Sequence, residues 1–443
     1  MYQHIQEIIS LKSLKVNIID LFVESLTSFL GCRIKIYHDP YNSFLEKYGI
    51  DILANPERGV YEIDSSSAII IGRITNENGQ LRSAIGFLLI GVDFRSSSRI
   101  LGIIERTFSF SLTSEIENNF RRSLITFGDD LIKRIICTFI AKGKYNPGNV
   151  RHILEYFFKL RTTSFEGSYF STGAIISKSG DFFNGTFDRK RFGMSKRLTN
   201  FISILGTNSI NKRLWYLVDG KTSFLLGSKN LLFRDLFILN DDYAKNNFLA
   251  VYSLALTLKG GDFLIKIENE KSMSIITADG IEFLFYENRW KLRNFKGLKK
   301  LLQEKISTDV LIIDSILFYI LNCSKKQMSS ILWFPDNLGD IDQYINPDTK
   351  NSFLNDKINI TERSAINHLF RCLSSDGVSV FDKRGNLEYM GVIVDIGKGK
   401  VKGIAGTGET AASILCSNGV SIKISQDGAI KIFTDLYEEP YHF

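Results

Sequence analysis

Glycine-bearing bends cut the stretch from Leu373 to Phe443 into runs too short for anything but sheet strands and one brief helix. Leu-Ser-Ser-Asp-Gly-Val (373–378) opens it. Gly-Thr-Gly-Glu-Thr-Ala-Ala (406–412) begins 30 residues after Asp376, and an alternating run, 421–433, closes it around Asp427-Gly428. The periodicity predicts strands over 378–381, 389–394, 420–424 and 430–433, with a helix over 409–416 between them. A mixed α/β sheet is the simplest assembly of such elements. An acid-glycine bend followed by a Gly-Thr bend also has the parts of a nucleotide site. The first offers a carboxylate to a metal or a ribose hydroxyl, and the second offers backbone N–H groups to phosphate.

Taken singly, each part has an ordinary structural explanation. Asp-Gly also occurs at 219, 279 and 427, where it reads as a turn. Gly406-Thr407-Gly408 suits a tight strand-to-helix connection with Thr407 as the N-cap. Glu409 suits the first turn of a helix through the macrodipole. The ordered combination is what favours a site.

At 443 residues the chain exceeds one typical core. Breaker clusters and a change of pattern divide it in three. Residues 1–144 read as an α/β unit. Helical periodicity over 5–30, 99–108 and 116–142 flanks β-rich runs at 33–37, 67–73 and 84–92, with a turn signal at Asn76-Glu77-Asn78-Gly79. The element order resembles that of a GAF or PAS module. Tyr145-Asn146-Pro147-Gly148 opens a β-rich middle domain, 145–305, with strands expected at 173–177, 214–218, 223–226, 248–258, 263–267, 273–277 and 281–286. The last domain, 306–443, begins with an amphipathic helix over 314–322 and a buried strand over 330–334. A further helix runs over 361–373 with Thr361 as its N-cap.

Charge and cysteine usage exclude several classes. The net charge of +7 is mild for this length, and the densest basic run, 291–305, reads as a solvated helix face. A nucleic-acid footprint is denser, so nucleic acid is not expected as a partner. The five cysteines are widely spaced without a C-x-x-C, which argues against a disulfide framework and a zinc site. Nothing reads as a signal peptide or a bilayer-spanning run, so a cytoplasmic protein without a membrane partner is expected. Trp215, Trp290 and Trp333 are expected in the core rather than as base-stacking platforms. His368 is expected to be packed or capped.

The segment 373–394 resembles the Asp-Gly-Ala stretch of diadenylate cyclase domains with the hairpin that follows it. The segment 406–433 resembles that family's Gly-Thr-Arg-His-Arg-Ala-Ala stretch and the strand pair after it. The helix and strand over 313–337 stand where that domain begins, so the resemblance covers about residues 306–443. Segments 161–177 and 278–292 are similar to stretches that accompany such a domain in sensor proteins.

The resemblance implies a fold and a chemistry. Family members condense two ATP molecules into cyclic di-AMP between two domains set face to face, with Mg or Mn. Carried over by position, the nucleotide-binding residues are Asp376, Gly377, Val378, Gly406, Thr407, Gly408, Glu409 and Thr410, with Asp376 nearest any metal. Asp376 would also be the catalytic carboxylate of an active enzyme. The Arg-His-Arg positions, however, hold Gly408, Glu409 and Thr410. Each lost cationic contact to a transferring phosphoryl group costs roughly 2–4 kcal/mol of transition-state stabilisation, and Glu409 adds like-charge repulsion. The expectation is a degenerate, catalytically inactive domain that senses a nucleotide or cyclic dinucleotide. The two rival expectations are an active cyclase, with Lys398, Lys400 or Lys402 replacing the lost cations, and a structural protein that forms a homo-oligomer through this domain.

Overall fold

The computed structural model describes residues 19–20, 22–55, 57–64, 66–75, 81–117, 127–142, 145–178, 192–204, 210–246, 249–351, 356–398, 406–437 and 439–443. The chain is mixed α/β and separates into two compact units. One is built mainly from residues before Asn294, and the other from Asn294–Phe443 with two short segments, 64–67 and 90–96. The expected turn at 76–79 lies outside the described residues, as do Lys400 and Lys402.

The first unit contains two separate sheets. Strands β1 (Arg33–Tyr37), β2 (Val60–Asp64), β3 (Ser67–Thr75) and β4 (Leu81–Ile90) pair in the order β1-β4-β3-β2. Helix α1 (Pro40–Tyr48) follows β1, and α2 (Phe94–Glu117) and α3 (Phe127–Ala141) follow the sheet. Asn146 then caps α4 (Pro147–Arg161): its side chain accepts from the N–H of Gly148, and Pro147 takes the first helical position, where it forfeits no hydrogen bond.

The second sheet of this unit has eight strands. In chain order they are β7 (Thr172–Ser177), β8 (Gly193–Ser203), β9 (Ser223–Ser228), β10 (Leu232–Leu239), β11 (Phe263–Asn269), β12 (Ser272–Thr277), β13 (Ile281–Tyr286) and β14 (Arg289–Asn294). They pair in the order β14-β13-β12-β11-β7-β9-β10-β8. A small hairpin of β5 (Ser164–Phe165) and β6 (Ser168–Tyr169) precedes them, with Glu166 and Gly167 at positive φ in its tip. Two expected strands are helices instead. Residues 212–216 form a helical turn because the Asn211 side chain accepts from the N–H of Leu214, an N-cap that the apolar run concealed. Ala250–Leu256 is also helical and buries only Leu254 and Ala255. Short apolar runs carry no periodicity that separates the two outcomes.

The second unit opens with helices α5 (Phe295–Ile306) and α6 (Val310–Lys325). The basic residues of α5 are not a free patch: Lys299 pairs with Asp314 at 2.5 Å, Lys300 with Glu304, and Lys305 with Asp435. Six strands follow: β15 (Ser330–Phe334), β16 (Val378–Phe381), β17 (Leu387–Val392), β18 (Val420–Ile424), β19 (Ile430–Phe433) and β20 (Tyr441–His442). Their order is β17-β16-β15-β18-β19-β20. Only β15 and β16 run parallel. Every residue of β15 is buried, as a central strand covered on both faces requires. Helices α7 (Ile366–Leu373) and α8 (Thr407–Leu415) complete the unit. Thr361 is not an N-cap, because its hydroxyl donates to Asn359 Oδ1 and a short 3-10 turn, Arg363–Ala365, precedes α7.

No helix among the described residues is long and apolar enough to cross a membrane. The described cysteines are all free thiols, and Trp215, Trp290 and Trp333 are buried.

Candidate functional site

The pairing of β15, β16, β17 and β18 brings the two bends together. Because β15 and β16 are parallel while β18 runs antiparallel to β15, the starts of β15 and β16 lie beside the end of β18, where Ser330 pairs with Ile424. The Asp376 bend enters β16 at that edge. Helix α8 is held over the sheet by Ala411, Ala412, Ile414 and Leu415, which pack against Ile331, Trp333, Val378 and Val380. Ile414 and Leu415 each contribute roughly 1.5–3 kcal/mol by burial and the two alanines less, which fixes the helix on the sheet. Between these elements lies a cavity of about 460 Å³.

The first bend is fixed by close backbone approach. Gly377 has φ +98°, and a Cβ there would stand 2.7 Å from the carbonyl carbon of Gly391 and the oxygen of Val392. Gly391 is also left-handed, at φ +65°. Only glycine fits two chains this close. Ser374 to Val378 therefore form one wall with Val392, Ile393, Val394 and Ile396 across from them. Ile393 and Ile396 are nearly half exposed and present apolar surface at the rim.

The second bend supplies Thr407, Gly408 and Ala411. Gly406, not Thr407, is the N-cap of α8, and the backbone N–H groups of Glu409 and Thr410 donate to its carbonyl. The N–H groups of Thr407 and Gly408 head the helix and so have no partner within it. The floor is made by Ser329, Ser330, Ile331, Lys423 and Gln426.

Of the residues expected at a nucleotide site, Asp376, Gly377, Val378, Thr407 and Gly408 line this cavity together. Glu409 and Thr410 are not among its described lining residues, nor is Gly406. The Glu409 carboxylate turns to the sheet, where it accepts from Lys431 Nζ at 2.5 Å. Its charge is thereby compensated within the protein, and the like-charge repulsion expected from sequence is reduced. Lys398 ends a 3-10 turn, Ile396–Lys398.

Sequence inspection did not single out Lys423. It is 8% exposed, lines the cavity, and donates to Ser329 Oγ at 2.6 Å. Burial pushes its pKa down, opposed by the Glu409 carboxylate. The signal was present as a lysine inside a buried-strand pattern, Val-Ser-Ile-Lys-Ile, whose alternation puts it on the same face as Ser421.

Asp376 is exposed and is the one carboxylate among the described lining residues. Among the described residues no group of three or more His, Cys, Asp or Glu side chains could hold a metal ion. Mg or Mn bound here would draw one hard ligand from the protein, and the remainder from ligand phosphates and water.

A larger cavity of about 780 Å³ lies between α7 and the edge strand β17. His368, expected to be packed, is exposed in its wall beside Arg371, and Lys357 pairs there with Glu388 at 2.5 Å. None of the motif residues line it.

No family model matches the chain, and no curated protein matches it. Among solved structures, one described as a hypothetical membrane spanning protein from Bacillus cereus is 16% identical over 33% of this chain and 70% of that one, with a TM-score of 0.27. A likeness that slight carries no argument about fold or function.

Proposed function

We propose that the carboxyl-terminal unit is a diadenylate-cyclase-like domain that binds a nucleotide or cyclic dinucleotide without cyclising ATP, and that the protein acts as a cytoplasmic sensor of that ligand. The observation that carries this proposal is the meeting of the Asp376 and Thr407 bends in one cavity. At about 460 Å³ that cavity is of small-molecule size, within the ~300–1,000 Å³ usual for such sites. Asp376 accepts a hydrogen bond from a ribose hydroxyl, the leading N–H groups of α8 receive phosphate, and Ile393 and Ile396 cover a base. The absence of arginine and histidine from the first turn of α8 removes the charge neutralisation that phosphoryl transfer needs.

Isothermal titration against ATP, AMP and cyclic di-AMP tests this. Binding of at least one, weakened tenfold or more by Asp376→Ala or Thr407→Ala, is the expected result. Absence of heat with all three would count decisively against the proposal. Incubation with ATP and Mn²⁺, read by mass spectrometry, is expected to yield no cyclic product.

A further inference from the structure

The cavity holds a buried cation whose charge no carboxylate contacts directly. Lys423 on β18 and Lys431 on β19 are cross-strand partners, and like charges placed directly opposite one another repel. The two lysines are treated differently. Lys431 is paired with Glu409 at 2.5 Å, whereas the one hydrogen-bond partner of Lys423 among the described residues is the neutral Ser329 hydroxyl. An ammonium has three protons to donate, so two are left for other acceptors. Burying a charge without pairing it is costly, and at a cavity wall an external anion can offset that cost.

Gly408 gives this a steric basis. A Cβ at 408 would stand 2.9 Å from Lys423 Cε and 3.1 Å from its Nζ. Position 408 is the first of the three where the resembled domains carry Arg-His-Arg. Here the missing side chain is what leaves room for the lysine. The positive charge has moved from the first turn of the helix to the strand beneath it.

We infer that Lys423 is the anion-binding residue of this cavity and receives one phosphate group of the ligand, assisted by the N–H groups of Thr407 and Gly408. The inference rests on the nucleotide reading for what carries that phosphate. One lysine without a carboxylate contact, lining the same cavity as Asp376, matches a single phosphate, as a monoester or within a phosphodiester. It does not match a triphosphate, whose additional charges would meet no further lysine or arginine among the described lining residues.

Titration of the full chain with adenosine, AMP, cyclic di-AMP and ATP tests the inference. AMP or cyclic di-AMP is expected to bind more tightly than ATP. Lys423→Met is expected to weaken the phosphate-bearing probe at least tenfold while leaving adenosine within twofold. Gly408→Ala, which adds the crowding methyl in a helix that accepts alanine readily, is expected to act in the same direction. It also keeps the inference testable if Lys423→Met folds poorly. Unchanged affinity for AMP and cyclic di-AMP in both variants, with Asp376→Ala still weakening them, would overturn the role of Lys423 and leave the nucleotide site standing. Tighter binding of ATP than of either would overturn the single-phosphate selectivity. No binding of any probe by the unaltered protein would overturn the nucleotide reading and this inference with it.

Discussion

Two lysines are equally buried in this molecule, one in each unit, and their surroundings differ. Lys266, on β11 of the eight-stranded sheet, is 7% exposed, pairs with Glu268 at 2.8 Å and lies 5.5 Å from the ring centre of Tyr252. Beside it, the Tyr252 hydroxyl donates to Glu282 Oε1 at 3.0 Å, and Arg293 stands 3.7 Å from the other carboxylate oxygen. Every charge in that cluster has an opposite charge within reach. Lys423 has a hydroxyl, a cavity, and the field of a Glu409 carboxylate that is itself paired with Lys431. A buried charge with an internal counter-ion holds a fold together, and one facing open space costs stability and is kept for what comes to occupy that space.

The largest expected effect comes from breaking the paired lysine. Lys266→Met removes the buried ammonium that pairs with Glu268 at 2.8 Å, and removing one member of a buried pair costs about 3 kcal/mol or more. Chemical denaturation of the full chain, followed in the transition of the first unit, should show the loss. An unchanged midpoint would mean that the pair is not structural. Gly377→Ala should follow at about 1–3 kcal/mol, because the left-handed backbone and the nearby Gly391 and Val392 atoms leave no room for a Cβ. Thermal melting checks it, and the same variant should lose ligand affinity because the cavity wall moves.

Lys423→Met should do the opposite of Lys266→Met. Replacing a lone buried cation by an apolar chain of similar length should leave stability unchanged or raise it by about 1 kcal/mol. A loss comparable to that of Lys266→Met would erase the contrast between the two lysines. The same residue predicts a pH dependence. Its folded-state pKa lies below the usual 10.5, so between the two values the unfolded chain binds more protons. Stability from this group therefore rises with pH through that window. Buried thiols act in the opposite sense. Cys32 and Cys137 are pushed up to about 12 and Cys323 to about 11, and their contribution declines as pH climbs above 9. The difference in stability between the unaltered protein and Lys423→Met, measured from pH 7 to 10.5, cancels the thiols and should shrink as pH rises. The smallest effect is on thiol reactivity. Cys372 is the one cysteine not fully buried and should react first with an aromatic disulfide reagent, the other four following only on denaturation.

Local patterning made much of the carboxyl-terminal sheet legible. Strands 330–334, 420–424 and 430–433 stand where alternation and glycine turns put them, and α8 starts two residues earlier than its apolar pattern indicated. Patterning failed where a single capping side chain outweighed it, as at Asn211, and where two chains of similar apolar content resolve differently, as at 250–256. The long edge strand β8, with Lys196, Arg197 and Asn200 on it, went unrecognised because both its faces are largely exposed and it carries no apolar alternation. Within the site, the members named from the two bends were visible because turns announce themselves through glycine. Lys423 was not, because its significance depends on which residues stand across from it.

The sequence alone determined where the carboxyl-terminal unit bends and where most of its strands run, since glycine turns and period-2 alternation are local properties. It also determined that the first turn of α8 would carry no cation. Tertiary structure alone decided that the two bends share a cavity, that Glu409 spends its charge on Lys431, and that Lys423 stands unpaired beneath Gly408. Strand order and register set these distances, and burial sets the cost of a charge, so neither can be read one residue at a time.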